Sequence, residues 1–261
     1  MNILFIGDIV GSPGREAVKK LLPELKKEYR LDFVIANAEN AAGGSGLTPR
    51  VVEELFASRL DVLTSGDHIW KKREVLEIIN QEERILRPAN FPAGAPGRGW
   101  GLFKLKEDFK VGVVNVQGRV FMEALECPFK VSREAQEALS KDTKIIIVDI
   151  HAEATSEKVA LGWYLDGKVS AVLGTHTHIQ TADERILPGG LAYITDVGMT
   201  GPVDSVIGRK IEDVLERFLT CVPTRFEVAK ENIQLQGVVV DIDEETGKAR
   251  SIVRIQKRLN G

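Results

Sequence analysis

Side chains of the types that bind metal ions follow several apolar, strand-like segments of this chain. Carboxylates, one amide and all four histidines lie directly after five such segments. These residues are Asp8, Glu39, Asn40, Asp67, His68, His151, His176 and His178. Because ligand groups gather at the carboxyl ends of strands in open α/β sheets, we expect these side chains to meet in one site.

Each of these residues taken alone has an ordinary structural role. An aspartate after a strand is usually a turn former or helix cap, and a lone histidine is more often structural than a ligand. The His-x-His pair at 176–178 is more specific, because both imidazoles reach one side where the backbone bends. Together the residues exceed the ligand set of one metal and suit two metals that share a carboxylate. No cysteine lies at these strand ends, which disfavours a thiolate zinc site.

The first third of the chain alternates between strand-like and helix-like segments, which predicts a largely parallel sheet. The predicted strands are Ile3–Ile6, Phe33–Ala38 and Val62–Thr64. The predicted helices run from after Ser12 to about Tyr29, from Thr48-Pro49 to Arg59, and from Lys71 to Asn80. Pro23 lies inside the first helix, where it could cause a kink or a break.

The rest of the chain predicts a second sheet and further outer helices. Prolines and glycines make Arg87–Gly101 a loop. The predicted strands are Gly101–Lys106, Lys110–Val116, Lys144–Ile150, Val169–Gly174, Ile233–Ile242 and Ala249–Gln256, with helices at Arg133–Ser140 and Val206–Thr220. The first two and the last two of these strands are expected to form antiparallel hairpins. No linker-like stretch divides the sequence, so we expect one domain over residues 1–261.

Composition restricts the class of protein further. The chain has 261 residues, a formal net charge of −3 and two separated cysteines, Cys127 and Cys221. The cysteines are interpreted as free thiols in a reducing, cytoplasmic environment. The strand-like first segment does not resemble a signal peptide, so none is expected. No apolar run reaches the ~18 residues of a membrane span. The near-neutral charge argues against a broad nucleic-acid surface, since such a surface needs a basic domain.

This arrangement resembles the calcineurin-like metallophosphoesterases. Their sequence pattern is GD, an acidic bridging residue, GNH, a later histidine and GHxH. It is matched here by Gly7-Asp8, Glu39-Asn40, Gly66-Asp67-His68, His151 and Gly174–His178. The chain is more similar still to the YmdB-type bacterial phosphodiesterases, through ENAAGGSGLT (39–48), GTHTH (174–178) and GMTGPVDSVIG (198–208). The resemblance implies a four-layer α/β/β/α sandwich of two mixed sheets flanked by helices.

The resemblance also implies a role for each strand-end residue. Asp8, Glu39, Asn40 and His178 would hold one divalent metal, and Glu39, Asp67, His151 and His176 the other, with Glu39 bridging. His68 would not be a ligand but the general acid beside the scissile phosphate. Mixed imidazole and carboxylate ligands suit Mn, Fe or Zn, whereas Mg favours oxygen ligands. We expect Mn or Fe, rather than Zn or Mg, as the two ions.

The chain departs from the superfamily pattern at two positions. Asp67 replaces the neutral asparagine of GNH, which should strengthen cation binding and weaken the attraction for phosphate. The first strand has Asp8-Ile9-Val10 in place of DxH, and Asn40 is expected to substitute for the missing histidine.

We therefore expect a phosphodiesterase that hydrolyses cyclic nucleotides or related small phosphodiesters through a metal-bridging hydroxide. Gly43, Gly44 and Gly46 could bring backbone N–H groups to the phosphate, although a merely flexible loop accounts for them equally well. A homo-oligomer is compatible with this interpretation, and no membrane partner is expected.

Other interpretations stay open at this point. A non-enzymatic, metal-bound regulatory or RNA-associated protein could use Arg84, Arg87, Arg98 and Trp100, although the net charge does not support RNA binding. A dinucleotide-binding oxidoreductase is suggested weakly by Gly7-xxx-Gly11-xx-Gly14 and by the YxxxK at 164–168. A GDSL-type hydrolase would need a serine where the chain has Ile9.

Overall fold

A computed structural model describes residues 1–106 and 109–259 of the chain. Its strands are β1 (Asn2–Ile6), β2 (Asp8–Ile9), β3 (Phe33–Asn37), β4 (Val62–Thr64), β5 (Trp100–Lys106), β6 (Phe109–Gln117), β7 (Ile146–His151), β8 (Ala171–Thr175), β9 (Arg185–Ile186), β10 (Ala192–Ile194), β11 (Met199–Pro202), β12 (Ile233–Ile242) and β13 (Ala249–Arg258). Its α-helices are α1 (Gly11–Glu28), α2 (Pro49–Ala57), α3 (Pro128–Leu139), α4 (Thr155–Leu165) and α5 (Ile211–Thr220).

The strands form two mixed sheets. The first has the order β2-β11-β12-β1-β3-β4, and β13 pairs with β12. In it β1, β3 and β4 are parallel, whereas β12 is antiparallel to β1. The second has the order β5-β6-β7-β8-β10-β9, parallel from β6 to β10 with antiparallel strands at both edges. The largely parallel pairing predicted from the first three strands is right for β1, β3 and β4. The hairpins predicted for β5–β6 and β12–β13 are also right, whereas the antiparallel insertion of β12 beside β1 was not predicted.

Alternating side chains of the strands build the layers. Leu4 and Ile6 pack outward against α1 and α2, whereas Ile3 and Phe5 point to the other face of β1 and pack against the second sheet. The opposite face of the second sheet packs on α3 and α4. Because each central strand serves two apolar interfaces, nearly every residue of β1, β3, β7 and β8 is buried. The four-layer α/β/β/α sandwich is confirmed.

The helix predicted at Lys71–Asn80 is wrong. The segment forms only a short 3₁₀ helix, Arg73–Glu77, and no side chain caps its start. Five residues form too few hydrogen bonds to offset the cost of nucleating an α-helix, and 3₁₀ geometry is usual for such short pieces.

Two further helix predictions change in detail. The helix expected from Val206 begins only at Ile211, because Ile207 and Gly208 have positive φ angles of 46° and 94° in a tight turn. Pro23 does not break the first helix into two elements, since α1 is continuous through it. Pro23 faces solvent, where water can satisfy the carbonyl that loses its partner.

The sandwich brings the carboxyl ends of strands from both sheets to one edge. Parallel β1, β3 and β4 end at one edge of the first sheet, and parallel β7 and β8 end at one edge of the second. The residues that follow these strands are therefore neighbours in space although they are far apart in sequence.

None of the helices in the described ranges has the length and apolar character that a membrane span requires. Both cysteines are free thiols, as expected from their separation in the sequence.

Candidate metal centre

All eight residues expected at the site lie in one connected group at the shared edge of the two sheets. We call this group the strand-end cluster, and its members are Asp8, Glu39, Asn40, Asp67, His68, His151, His176 and His178. Most of them are buried or nearly so, and His68 is the most exposed, at 30% of its side chain.

One half of the strand-end cluster is a compact set of four ligand types. Glu39, Asp67, His151 and His176 each contribute an atom, and these atoms lie within 4.8 Å of one another. Nε2 of His151 is 3.2 Å from Oε2 of Glu39 and 3.3 Å from Oδ1 of Asp67. Nδ1 of His176 is 3.0 Å from Nε2 of His151. Two imidazole nitrogens and two carboxylates that converge in this way fit the donor set of a divalent transition metal.

The other half of the strand-end cluster shares Glu39. Nε2 of His178 lies 3.7 Å from Oδ1 of Asp8 and 3.2 Å from Nδ2 of Asn40. The same amide nitrogen donates to Oε1 of Glu39 at 3.0 Å. The nitrogen of Asn40 therefore faces this half, while a cation would bind the oxygen. A ligand role for Asn40 requires the amide to be turned, which exchanges the two atoms in nearly the same volume.

Two buried carboxylate oxygens test whether a cation fits. Oδ1 of Asp8 and Oδ1 of Asp67 have no hydrogen-bond partner among the described residues. A buried carboxylate oxygen without a partner costs free energy unless a positive charge or a donor satisfies it. Both oxygens point into the strand-end cluster, so a divalent cation there would satisfy them. The residues present therefore fit a metal.

Charge in the cluster keeps these carboxylates ionised. Burial raises the pKa of Asp8, but the nearby imidazole of His178, with its charge, outweighs burial and holds this pKa well below its usual value. Burial likewise raises the pKa of Asp67, but the neighbouring His151 outweighs burial, so this pKa is also well below its usual value. Ionised carboxylates are the forms that bind a cation.

The pKa values of the three histidines in the candidate ligand set shift in different directions. Burial lowers the pKa of His151, but Glu39 and Asp67 outweigh burial and leave the pKa well above its usual value. Burial also lowers the pKa of His178, but the carboxylate of Asp8 outweighs burial and raises this pKa above its usual value. His176 has a lowered pKa because burial is reinforced by the charge of His151. Without a cation, protons on imidazole balance the carboxylates, so a metal would bind in competition with protons.

His68 stands at the rim of the strand-end cluster. Its Nδ1 lies 2.8 Å from Oδ1 of Asn40, and its Nε2 lies 3.5 Å from Oδ2 of Asp67. Its backbone N–H donates to Oε2 of Glu39 at 3.1 Å. The partly exposed ring is thus oriented by a cluster residue while its other nitrogen lies near the cluster opening.

The backbone at Gly66 lies directly against Glu39 and His151, two residues of the compact four-residue set. A Cβ atom at this position would collide with the ring of His151 and the carboxylate of Glu39. Glycine therefore lets β4 and the chain after it pass directly against two candidate ligands.

The His-x-His segment is held in a strained backbone conformation. His176 and His178 have φ angles of 98° and 64°, which residues with a Cβ rarely adopt. Between them, Thr177 donates its backbone N–H and its hydroxyl to Oδ2 of Asp196, at 3.0 and 2.6 Å. Nζ of Lys158 lies 2.9 Å from the same oxygen, and both charged side chains are fully buried. This buried ion pair anchors the bend that lets both imidazoles point into the cluster.

A chain of hydrogen bonds orients His151 from behind. Its Nδ1 lies 2.9 Å from the hydroxyl of Thr175, which donates to Oδ1 of Asp149 at 2.7 Å. Nδ2 of Asn37 donates to the other oxygen of Asp149 at 3.1 Å. Burial raises the pKa of Asp149 to about 7. Such partners fix the ring orientation and tautomer of a ligating histidine.

The other two histidines of the candidate ligand set also have orienting partners. Nε2 of His176 lies 3.2 Å from Oε2 of Glu153, and Nδ1 of His178 lies 3.0 Å from the carbonyl oxygen of Ile207. Glu153 was not among the predicted site residues, although it lies two residues after His151. The Ile207 carbonyl has no signal in the sequence, because any residue carries a carbonyl.

A cavity of about 530 Å³ opens beside the strand-end cluster. Five apolar residues also line this cavity, and we call them the apolar wall: Val206, Ile207, Val214, Phe218 and Phe226. Arg209 also lines the cavity and donates a hydrogen bond to the carbonyl of Gly44. Gly44 has a φ of 89°, and a Cβ there would collide with the Arg209 guanidinium, so the glycine permits their close approach.

Two glycines of the pattern that weakly suggested a dinucleotide-binding enzyme, Gly7 and Gly14, allow two backbone segments to pack closely. A Cβ at Gly7 or Gly14 would collide with the carbonyl of Gly198 or Thr200, so these glycines let β11 approach the start of the chain. In the YxxxK segment, α4 ends at Leu165 and Gly167 has a φ of 74°. Tyr164 and Lys168 therefore do not share the helix that a catalytic YxxxK pair needs.

The arginines of the proline-rich segment are largely engaged within the protein. Arg84 pairs with Glu82, and Arg98 pairs with Glu83. Arg87 is buried and donates to carbonyl groups of its own loop, among them that of Pro88 at 2.7 Å. These contacts give the segment a structural role.

Comparisons with known proteins agree with this geometry. The model of a family described as YmdB-like protein matches residues 4–255. A 2′,3′-cyclic-nucleotide 2′-phosphodiesterase of Bacillus subtilis is 52% identical over 255 residues, which cover 98% of this chain and 96% of that protein. A phosphatase of Mycoplasma pneumoniae has a solved structure with a TM-score of 0.93 and 37% identity, covering 99% of this chain and 93% of the other. A hypothetical protein of Thermus thermophilus gives a TM-score of 0.93 at 40% identity, covering 99% of both chains.

Proposed function

The chain belongs to the YmdB-like family of calcineurin-like metallophosphoesterases and is a metal-dependent phosphoric ester hydrolase, and we propose that it hydrolyses cyclic nucleotides or related small phosphodiesters. The observation that carries this proposal is the strand-end cluster, with its two unsatisfied buried carboxylate oxygens beside an open cavity. The Bacillus subtilis relative supports the diester as the substrate class.

Two divalent ions would be held by the two halves of the strand-end cluster. Asp8, Asn40 and His178 would hold one ion, Asp67, His151 and His176 the other, and Glu39 both. When bound, the ions would supply Lewis-acid polarisation of the phosphoryl group and lower the pKa of a water molecule. The mixture of imidazole and carboxylate donors suits Mn, Fe or Zn better than Mg, and of these we propose Mn or Fe.

His68 would donate a proton to the oxygen that leaves phosphorus. Its ring is partly exposed at the cluster opening, and its Nδ1 is 2.8 Å from Asn40, which leaves Nε2 directed away from that contact. An alkoxide is a poor leaving group unless it is protonated, and a positioned acid contributes about 10²–10⁴-fold to such a step.

His68 could donate this proton only as an imidazolium, which carries a proton on each ring nitrogen. In the observed orientation of Asn40, Nδ1–H of such an imidazolium would donate to Oδ1 of Asn40 at 2.8 Å, and Nε2–H would stay available for transfer. Turning the amide oxygen of Asn40 to a metal would remove this contact.

The test is a phosphoester panel on purified protein loaded with Mn²⁺ or Fe²⁺. We expect hydrolysis of bis-p-nitrophenyl phosphate and of 2′,3′- or 3′,5′-cyclic nucleotides, with loss of activity after chelation and recovery on adding metal. The matched control is the Asp67→Asn variant, which restores the amide of the superfamily pattern and should retain activity with altered metal affinity. Intact diesters in every metal condition would overturn the proposal.

A further inference from the structure

The apolar wall is not required by phosphodiester hydrolysis itself. Metal ions, His68 and backbone N–H groups all act on the charged phosphoryl group, which makes no use of apolar side chains. Yet Phe218 is 76% exposed, and Phe226 also faces solvent beside it in the same cavity. An exposed apolar surface that borders a catalytic cavity is usually a binding surface for the apolar part of a ligand.

The segment that carries this wall is attached directly to the strand-end cluster. The carbonyl of Ile207 contacts His178, and Gly208 packs close enough to Val10 that a Cβ would touch its side chain. A molecule whose phosphorus lies at the cluster therefore has its remaining atoms next to residues 206–226.

Arg209 supplies a cationic group to the same cavity. Its guanidinium donates to the carbonyl of Gly44 and forms no salt bridge with a carboxylate in residues 1–106 and 109–259. Burial lowers its pKa somewhat, but a guanidinium stays charged. Five N–H donors with one protein acceptor leave several free to bind an anion, and guanidinium suits phosphate oxygens.

We propose that the apolar wall is the subsite for the base of a nucleotide diester and that Arg209 binds a non-ester oxygen of its phosphate. This assignment rests on the proposed function and concerns the nucleoside part of the substrate, which the metal ions would not contact. Every base has a π-face that stacks on an aromatic side chain, so Phe218 and Phe226 would bind purines and pyrimidines alike. The cavity, at about 530 Å³, is of the size that takes small-molecule ligands.

The experiment compares two substrates that differ only in the base. One is adenosine 2′,3′-cyclic phosphate, and the other is the 2′,3′-cyclic phosphate of methyl riboside, which has no base. For the protein as it exists, kcat/KM should be about tenfold or more higher for the nucleoside, from the usual strength of base stacking.

Variants of the wall separate base recognition from catalysis. Phe218→Ala with Phe226→Ala should raise KM for the adenosine diester about tenfold and leave the base-free diester unchanged, which removes the preference. The control is Leu219→Ala, which removes an 81% exposed apolar side chain next to Phe218 but outside the cavity. It should leave both substrates unchanged.

A variant of Arg209 tests the anion contact independently. Arg209→Gln should lower kcat/KM for both cyclic phosphates by a similar factor, because both carry the same phosphate. Arg209→Lys should recover part of the loss, since it retains the charge but not the forked geometry.

Each outcome bears on a different proposal. If the unaltered protein hydrolyses neither cyclic phosphate, the proposed function fails. If it hydrolyses both equally and the double phenylalanine variant changes neither rate, only the base subsite is overturned. If that variant changes the oligomeric state in size-exclusion chromatography while the substrate preference stays, the wall binds a second copy of the chain and the subsite is likewise overturned.

Discussion

The strand-end cluster and the apolar wall border the same cavity, and they are built in opposite ways. The cluster lies at the ends of buried strands, and its histidines are each held by a further contact, such as Thr175 behind His151. The wall comes from a tight turn, α5 and the segment after it, and much of its surface faces solvent. This contrast indicates that the two sheets hold the reacting groups, while a surface segment provides recognition that can vary without disturbing them.

The largest effect on turnover is expected at the opening of the strand-end cluster. His68→Ala should lower kcat for a cyclic nucleotide by about 10²–10⁴-fold, because the leaving alkoxide loses its acid. Turnover of bis-p-nitrophenyl phosphate should fall much less, since p-nitrophenolate leaves without a proton. Steady-state kinetics on both substrates measures the difference.

Metal content controls for this variant. Elemental analysis of His68→Ala should find the same metal per chain as in the unaltered protein, because His68 is not assigned as a ligand. An equal loss on both substrates, or a loss of metal, would show that its role is misassigned.

The anchor of the His-x-His bend should dominate stability. Lys158→Met leaves the buried charge of Asp196 without its counter-ion and should lower the free energy of unfolding by about 3–5 kcal/mol. The control is Lys110→Met, which breaks an exposed pair with Asp142 and should cost at most about 1 kcal/mol. Urea denaturation of both variants at equal metal concentration makes the comparison, and equal losses would contradict the anchoring role.

A smaller effect is expected behind His151. Thr175→Val removes the hydroxyl between His151 and Asp149 and should weaken metal binding about 10–100-fold. Thr175→Ser keeps the hydroxyl and should restore the affinity. Competition with a chelator measures both, and unchanged affinity in the valine variant would show that the hydrogen-bond chain does not support the metal.

The smallest effect is expected in the wall. Phe218→Ala should change the free energy of unfolding by no more than about 0.5 kcal/mol, because the ring is largely exposed. Phe5→Ala, the same change at a fully buried position between the sheets, should cost about 3–5 kcal/mol. If thermal unfolding shows similar losses, the wall belongs to the core and the contrast between the two regions disappears.

The strand-end cluster could be assembled from sequence because strands are recognisable as apolar runs and parallel strands end together. The residues that support the cluster from behind could not be predicted from the sequence. Asp149 and Thr175 lie inside or at the end of apolar strands, and Lys158 meets Asp196 through contacts that no local periodicity encodes. The apolar wall was hidden because the residues from Val206 fit a helix, and nothing in the sequence predicts a positive φ at Ile207.

The fold shows the same division between local and tertiary causes. Long apolar strands such as β7 and β12 were predicted nearly in full, whereas β2 and β9 have two residues each and exist through their neighbours. Helix α4 was missed because Glu157 and Lys158 are buried on it and interrupt the amphipathic pattern. The single-domain organisation, oligomeric state, RNA binding and cytoplasmic location stay predictions from the sequence.

The central claim is that the strand-end cluster binds two divalent ions that the hydrolysis requires. The most direct measurement is a titration of chelated, metal-free protein with Mn²⁺, following bound metal by elemental analysis and hydrolysis of adenosine 2′,3′-cyclic phosphate in the same samples. We predict about two ions per chain at saturation, with activity rising as the sites fill. Fewer than one bound ion per chain, or full turnover in the metal-free protein, would contradict this claim.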